Sequence, residues 1–538
     1  MSGLPFNKIS RRDFFGMTIG GILLAACRNT TAVSTFPGEL IASGAALGHM
    51  LRDNQFPEPV RSESSPVVVI GSGISGLSAA RWLSQNGHTD FILLELENET
   101  GGNAVAGKNE LTAYPWAAHY LPLPNAECKS LLDFLGETAV LKGYDEKQQP
   151  LYDETMLCFE PQERLFIHGT WQNDIVPSLG LTKKERAEFE SFFERMKQFR
   201  ELKGSDEKPA FAIPIDDSSR DPELMQLDQL SMAAYAEQNG WNSPCLKWYI
   251  NYCCSDDYGT PMEQTSAWAG IHYFASRRGT AGNVSNGSVL TWPEGNAFLA
   301  HKLAAFSAQQ TRKGHAVFNI SMKDGQTLVN CYDSSKKESY SILAGRVICA
   351  VPQFVRQRLL PDVQADAVKS VSYAPWLVAN LTVSNWSDGE GPPLSWDNVI
   401  YNSSSLGYVN AMHQSLRTKG NKTVLTYYYP VTDREPSEAR KFLRSMDHEQ
   451  FSRMIVAELK KAHPDAAKSI ERIDVRLWGH AMVRPTLNYI WGKNRAMLKE
   501  PVNDRIFFCH SDLSGISIFE EAFFQGIRAA KELIRSLS

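Results

Sequence analysis

Gly71, Gly73 and Gly76 follow the apolar run Val67–Ile70 and open a stretch of helical patterning that reaches Leu83. A Gly-x-Gly-x-x-Gly spacing between a strand and a helix suits the diphosphate of a dinucleotide. Gly71 allows the tight turn, Gly73 lets a phosphate approach the backbone, and Gly76 lets the helix pack close to the sheet. The N–H groups of Ile74 and Ser75 then stand at a helix N-terminus, the positive end of its dipole. A second strand pattern, Phe91–Glu95, ends in an acid roughly twenty residues beyond the third glycine, where a ribose hydroxyl is held. Taken alone, these residues fit NAD or FAD. A pair of glycines, Gly101 and Gly102, then suits a loop passing close to the cofactor. Further along, Asp256 and Asp257 supply charge, and Trp268 or Tyr273 a π face, for a cation pocket.

Other chemistries find no support. There is no Gly-x-Ser-x-Gly nucleophile elbow. The nine cysteines lack metal-ligand spacing, so no metal site is expected. A formal net charge of −5, without a basic block interleaved with aromatics, gives no reason to expect nucleic acid. At 538 residues, 43% hydrophobic and 21% charged, the chain has material for two to four domains.

The first residues read as an address. Ser10-Arg11-Arg12-Asp13-Phe14-Phe15 has the form of a twin-arginine export signal. An apolar stretch too short to span a bilayer follows, Gly16 to Ala26. It ends Leu24-Ala25-Ala26-Cys27, a lipobox in form, where acylation of Cys27 would anchor the chain to a membrane. That route carries folded proteins with cofactor in place, so a periplasmic location and unpaired cysteines are compatible. Residues 28–65, rich in Ser, Thr, Pro, Gly and Ala, read as a linker.

Beyond the glycine pair the chain turns irregular, so the nucleotide domain is interrupted. Thr182-Lys-Lys-Glu185 is a capping box, and Phe189, Phe192, Phe193, Met196 and Phe199 mark one face of the helix it opens. The strand patterns His315–Ile320 and Arg346–Val351 return the chain to the nucleotide domain. A second excursion includes one helix near Glu438 to Leu459. The last pass is a strand delivering Asp512 and a C-terminal helix opening near Phe519.

These motifs, in this order and spacing, resemble the flavin-containing amine oxidase family. Thr291-Trp-Pro-Glu-Gly-Asn296, Leu477-Trp-Gly-His480 and His510-Ser-Asp512 carry a closer likeness to a bacterial spermidine dehydrogenase-like branch. The resemblance implies an α/β fold: an FAD-binding Rossmann-type domain built from residues 66–118, 286–352 and 497–538, with an inserted α+β substrate domain from 119–285 and 353–496. It implies non-covalent FAD. Gly71, Gly73, Ile74, Ser75 and Gly76 would hold its pyrophosphate and Glu95 its adenosine ribose. Gly101, Gly102 and Asn103 would lie along the flavin nucleotide, with Val317 at the adenine. Asp512 would stand near the ribityl and phosphate groups, and Phe519 near flavin O2. The substrate would be a small amine, such as a polyamine, losing hydride to flavin N5, with the electron acceptor unknown. A base helps an ammonium lose its proton, and His480 and His119 are the candidates. The sequence departs from the family at three points. Asn103 replaces an arginine, Asn380 or Val378 stands where many members place a lysine, and Ile518 replaces an aromatic. Two alternatives stay open: a flavin desaturase or oxidase of an apolar substrate, and an exported FAD-binding protein without turnover.

Overall fold

A computed structural model describes residues 35–42, 44–285, 287–323, 325–415 and 420–537. The twin-arginine motif and Cys27 lie outside them. Two sheets organise the chain. The first runs in the order Thr311–Lys313, Ile92–Glu95, Pro59–Ile70, Glu338–Cys349, Gln326–Asp333 and His315–Lys323, with Ile506–Phe508 also paired to Glu338–Cys349. Its central strands are parallel, with Val68 beside Ile92 and Val347. Val67 to Ile70 are all buried, as an uninterrupted apolar run in a sheet covered on both faces must be. The helix Ile74–Gln85 covers one face with the C-terminal helix Phe519–Arg535. A Cβ at Gly526 would lie 2.1 Å from the Ser75 carbonyl oxygen, so the two helices approach to backbone contact.

The second sheet has eight strands in the order Leu40–Ile41, Ile470–Val483, Tyr373–Ser384, Lys422–Pro430, Gly407–Asn410, Asp397–Ile400, Glu163–Ile167 and Thr170–Asn173. Helices Lys183–Glu201, Pro244–Tyr258 and Ala267–Ala275 share a core with Trp376, Val378 and Val399 on one face. Helices Pro436–Ser445 and His448–Leu459 pack with Leu377 and Leu381 on the other. The two sheets meet through the segment after the glycine pair. Pro115, Trp116 and Ala117 offer their carbonyls to Asn380 Nδ2 (3.0 Å), Trp478 Nε1 (2.8 Å) and the Tyr428 hydroxyl (2.9 Å) of the second sheet.

The structure corrects the sequence reading in several places. From residue 35 the expected linker is folded onto the body: Leu40 pairs with Val475, the helix Ala45–Asp53 follows, and the first glycine-bearing strand already begins at Pro59. The helix Lys129–Glu137, expected in the substrate half, packs Leu131, Phe134 and Leu135 against Leu77 and Phe523 of the nucleotide half. Leu359, Leu360 and Val368 likewise join the nucleotide core. One helix over 438–459 becomes two, because Asp447 caps the second through a capping box with Gln450. On Lys183–Glu201 the Thr182–Glu185 box is present, but Phe193 faces solvent while Phe189, Phe192, Met196 and Phe199 are buried. Among the described residues no helix is long and apolar enough to cross a membrane.

Candidate functional site

The glycine loop leads from the end of one central strand into the Ile74–Gln85 helix. The N–H of Gly71 donates to the Leu94 carbonyl (2.8 Å), which locks the turn to the neighbouring strand. Ser72 donates both its N–H (2.7 Å) and its hydroxyl (2.6 Å) to Glu95 Oε2. The Gly101 N–H donates to the Ser72 carbonyl (2.9 Å), drawing the glycine pair over the loop. A Cβ at Gly76 would lie 1.9 Å from the Gly71 carbonyl oxygen, so no other residue fits there. At Gly73 a Cβ would meet only Gly102 Cα, at 3.9 Å, so the space in front of Gly73 is open. No side chain caps the helix at Gly73, leaving the first-turn N–H groups of Ile74 and Ser75 to meet a ligand. An uncapped helix N-terminus behind an open glycine, with a buried acid one strand away, fits the diphosphate and ribose of a dinucleotide.

The remaining sequence-predicted residues gather around this cradle. The Gly314 N–H donates to the Glu97 carbonyl (3.0 Å), which starts the strand carrying Val317 beside the end of the acid's strand. Asn103 donates through Nδ2 to the Ala481 carbonyl of the second sheet (2.5 Å). Phe519 opens the C-terminal helix, which also has no side-chain cap. Ile518 before it packs against the cores of both halves. Asp512 is fully enclosed. Its Oδ2 accepts from the Tyr373 hydroxyl (2.5 Å) and the Gln353 N–H (3.0 Å), and its Oδ1 lies 2.9 Å from His510 Nδ1. Burial acts to raise its pKa, but His510, Tyr373 and Gln353 together hold it below the ordinary carboxylate value. This carboxylate is committed to protein donors, so Asp512 fixes the loop before the C-terminal helix.

The two candidate bases do not come together. His119 sits in a box of rings, with centroids at 4.8 Å from Tyr428, 5.1 Å from Tyr120 and 5.3 Å from Trp396. His480 stacks on Phe354 at 4.2 Å with its outer edge exposed, and its other ring neighbour is Tyr373. The two histidines share no ring partner. Burial lowers the pKa of His119 to about 4. Desolvation, then Arg440 and Arg444, lower that of His480 to about 4. Both imidazoles are therefore neutral at pH 7, and at that pKa both are weak bases.

Three members of the expected cation pocket are engaged elsewhere. Asp257 is paired with Arg277 (2.7 Å), whose guanidinium lies 4.7 Å over the Tyr273 ring. Trp268 is core, packed on His272 and Trp491. Asp256 remains without a hydrogen-bond or ion-pair partner among the described residues. Two acids that the sequence reading passed over stand near it, Glu163 and Asp397. They face each other in register on adjacent parallel strands. Tyr252, one turn before Asp256 on its helix, stands close enough to Asp397 to act against the rise in its pKa. A recess lined by His119, Thr291, Trp292, Trp396, Asn410 and Gln414 draws on both halves.

A model of the flavin containing amine oxidoreductase family matches residues 74–534. Solved structures of similar fold include a redesigned double mutant of a putrescine oxidase. It is 16% identical, with TM-score 0.66, covering 88% of this chain and all of that one. Cyclohexylamine oxidase from Brevibacterium oxydans is 14% identical, with TM-score 0.61, covering 88% and 99%. A fatty acid isomerase from P. acnes, described as producing CLA, is 12% identical, with TM-score 0.62, covering 86% and 97%. Comparison with curated protein sequences gives no match.

Proposed function

Because this chain belongs to the flavin-containing amine oxidoreductase family, and is therefore an FAD-dependent oxidoreductase, we propose that it oxidises an aliphatic amine, a polyamine in the first instance. When bound, FAD supplies the hydride acceptor. The chain's own residues bind the cofactor, orient the amine and hold its proton. Gly73, Ile74 and Ser75 present backbone N–H groups to the diphosphate, Glu95 takes the ribose, and no cysteine is used as a covalent link.

The observation that carries the amine reading is the ring box around His119. Tyr120, Trp396 and Tyr428 present π faces that attract an ammonium. The imidazole at their centre is neutral at pH 7, and its lone pair can accept a hydrogen bond from the amine nitrogen, which must have shed its proton before oxidation. His480 lies outside this box, so His119 is assigned the contact with the amine nitrogen and His480 is not.

One observation favours a second reading, oxidation or desaturation of an apolar substrate. Asn380 or Val378 stands where many family members carry a lysine; the Asn380 amide is spent between the Pro115 carbonyl (3.0 Å) and the Thr426 hydroxyl (2.7 Å), and Val378 is buried in the core. Anaerobic mixing of the FAD-loaded protein with amines separates the two readings. Loss of flavin absorbance on adding spermidine supports amine oxidation, and loss only with apolar substrates supports the second. We further propose export by the twin-arginine route and a lipid anchor on Cys27, which labelled palmitate incorporation into wild type but not Cys27→Ala would test.

A further inference from the structure

Two runs of residues ahead of the glycine loop, 36–42 and 44–56, reach from the second sheet to the first. At the second sheet the Pro37 and Glu39 carbonyls accept from the N–H groups of Ile473 (2.9 Å) and Val475 (2.8 Å). The Glu39 N–H donates to Asp474 Oδ1 (3.0 Å), and Leu40 and Ile41 lie in parallel register with Val475 and Arg476. A Cβ on Gly38 would run into the Ile473 carbonyl, so the chain is pressed here against the backbone of that strand. Phe36 packs on the core of one face of the sheet and Ile41 on that of the other.

At the nucleotide half the same segment meets the residues that flank Glu95 and Val317, the expected ribose and adenine positions. Gly44 approaches Leu96 and Glu97, the two residues after Glu95, so closely that a Cβ would overlap Glu97 Oε1. The Glu97 N–H in turn donates to Glu95 Oε1 (2.9 Å). Leu51, on the helix Ala45–Asp53, packs on the core that holds Leu94 and Val317. The Phe56 ring stacks on Phe318, the neighbour of Val317, at 4.8 Å and meets Tyr332 at 5.3 Å. Both adenosine positions are thus touched one or two residues away.

The hold is light. No residue of the helix is buried, and Arg52 to Gln55 are exposed. A segment kept down by backbone pairing at one end, a ring stack at the other and Leu51 between opens more readily than the cores it joins. It also lies ahead of residue 74, where the match to the family model begins.

We propose that this segment is a strap across the adenosine end of the cofactor site, and that FAD leaves only when the strap lifts. The proposal rests on adenosine lying between Glu95 and Val317, and is independent of what the flavin oxidises. The strap ties the strand ends that carry these residues to the second sheet, so bound FAD and docked strap stabilise each other. The release rate then follows the opening of the strap as well as the contacts of FAD itself.

The test uses the full chain as wild type, Gly38→Ala, Phe56→Ala and a surface control, Glu449→Gln. Gly38→Ala loosens the strap at the second sheet, and Phe56→Ala loosens it beside the adenine strand. FAD-loaded proteins are diluted and the rise in free FAD fluorescence is followed. Trypsin cleavage after Arg52 is timed in wild type with and without FAD. Release at least fivefold faster in both strap variants than in wild type and control, with an unchanged band of the bound flavin, supports the strap. So does cleavage after Arg52 at least fivefold slower with FAD bound, a response that a purely structural segment would not give. Release within twofold of wild type in either variant, or cleavage that FAD does not slow, overturns it. Should a strap variant fail to load FAD, cleavage of the wild type decides. The site is judged separately: Glu95→Ala with unchanged FAD affinity removes the adenosine placement, whereas failure of the strap leaves that placement standing.

Discussion

Ser72 gives both its N–H and its hydroxyl to one oxygen of Glu95, at 2.7 and 2.6 Å. The acid that should hold the ribose is thereby fastened to the loop that should hold the diphosphate. Replacing Glu95 by Ala removes the ribose acceptor and leaves two Ser72 donors without their partner. FAD affinity of the apoprotein is expected to fall by about 1.5–3 kcal/mol, roughly ten- to hundredfold, as for hydrogen bonds to a charged group. Fluorescence titration with FAD measures it, and an unchanged Kd would remove Glu95 from the cofactor site.

Gly526 reports on how the C-terminal helix is seated. An added Cβ would lie 2.1 Å from the Ser75 carbonyl oxygen and 2.9 Å from Ser78 Cβ, so Gly526→Ala must push the two helices apart. Overpacking of this kind costs about 1–3 kcal/mol. A lower melting temperature with reduced FAD content is the expected outcome. Equal melting temperatures would mean that the helices do not meet at this point.

The nucleotide half was legible because its signals are local. The strand run, three glycines and acid fall within residues 67–95, and each does locally what its type suggests. The family order carried the late segments around Asp512 and Phe519. The substrate half was legible only in parts. Asp256 was found as a charge beside aromatics, but its neighbour Asp257 proved to be neutralised by Arg277, which no spacing rule reveals. Glu163 and Asp397 were missed because what makes them notable is their register across two distant strands. Tertiary pairing alone creates that juxtaposition. His480 looked equal to His119 in sequence, and only the rings around each separate them.

The carboxylate cluster sets a pH dependence. Burial, then Asp174 and Glu160, raise the pKa of Glu163 to about 7. Burial and Asp257 raise that of Asp256 against the pull of Arg277. Burial, Glu163 and Asp256 raise that of Asp397 against Tyr252 and the Asn398 N–H. A carboxyl whose folded pKa lies above its unfolded value favours the fold while protonated. That contribution is full below the ordinary value of 4.5 and lost as pH rises through about 7. The protein should therefore melt at a lower temperature at pH 8 than at pH 6 through this cluster, and calorimetry at the two pH values measures it. A difference unchanged in Glu163→Gln would show that this acid does not carry the effect.

His119→Asn removes the imidazole proposed to contact the amine nitrogen. Flavin reduction by spermidine should slow by about 10²-fold at pH 7, within the range for general bases, and recover as pH rises and the substrate amine deprotonates unaided. His480→Asn should change the rate by less than about threefold, since the ring lies outside the box. Stopped-flow absorbance across pH 6 to 10 measures both, and the reverse ranking would return the role to His480.

The central claim is that the FAD held by this chain takes electrons from an amine. Anaerobic mixing of the purified FAD-loaded protein with spermidine tests it most directly, followed at the flavin absorbance band near 450 nm. Rapid bleaching, with a rate that saturates in spermidine, is the result expected. A flavin that dithionite bleaches but no amine does would contradict the claim.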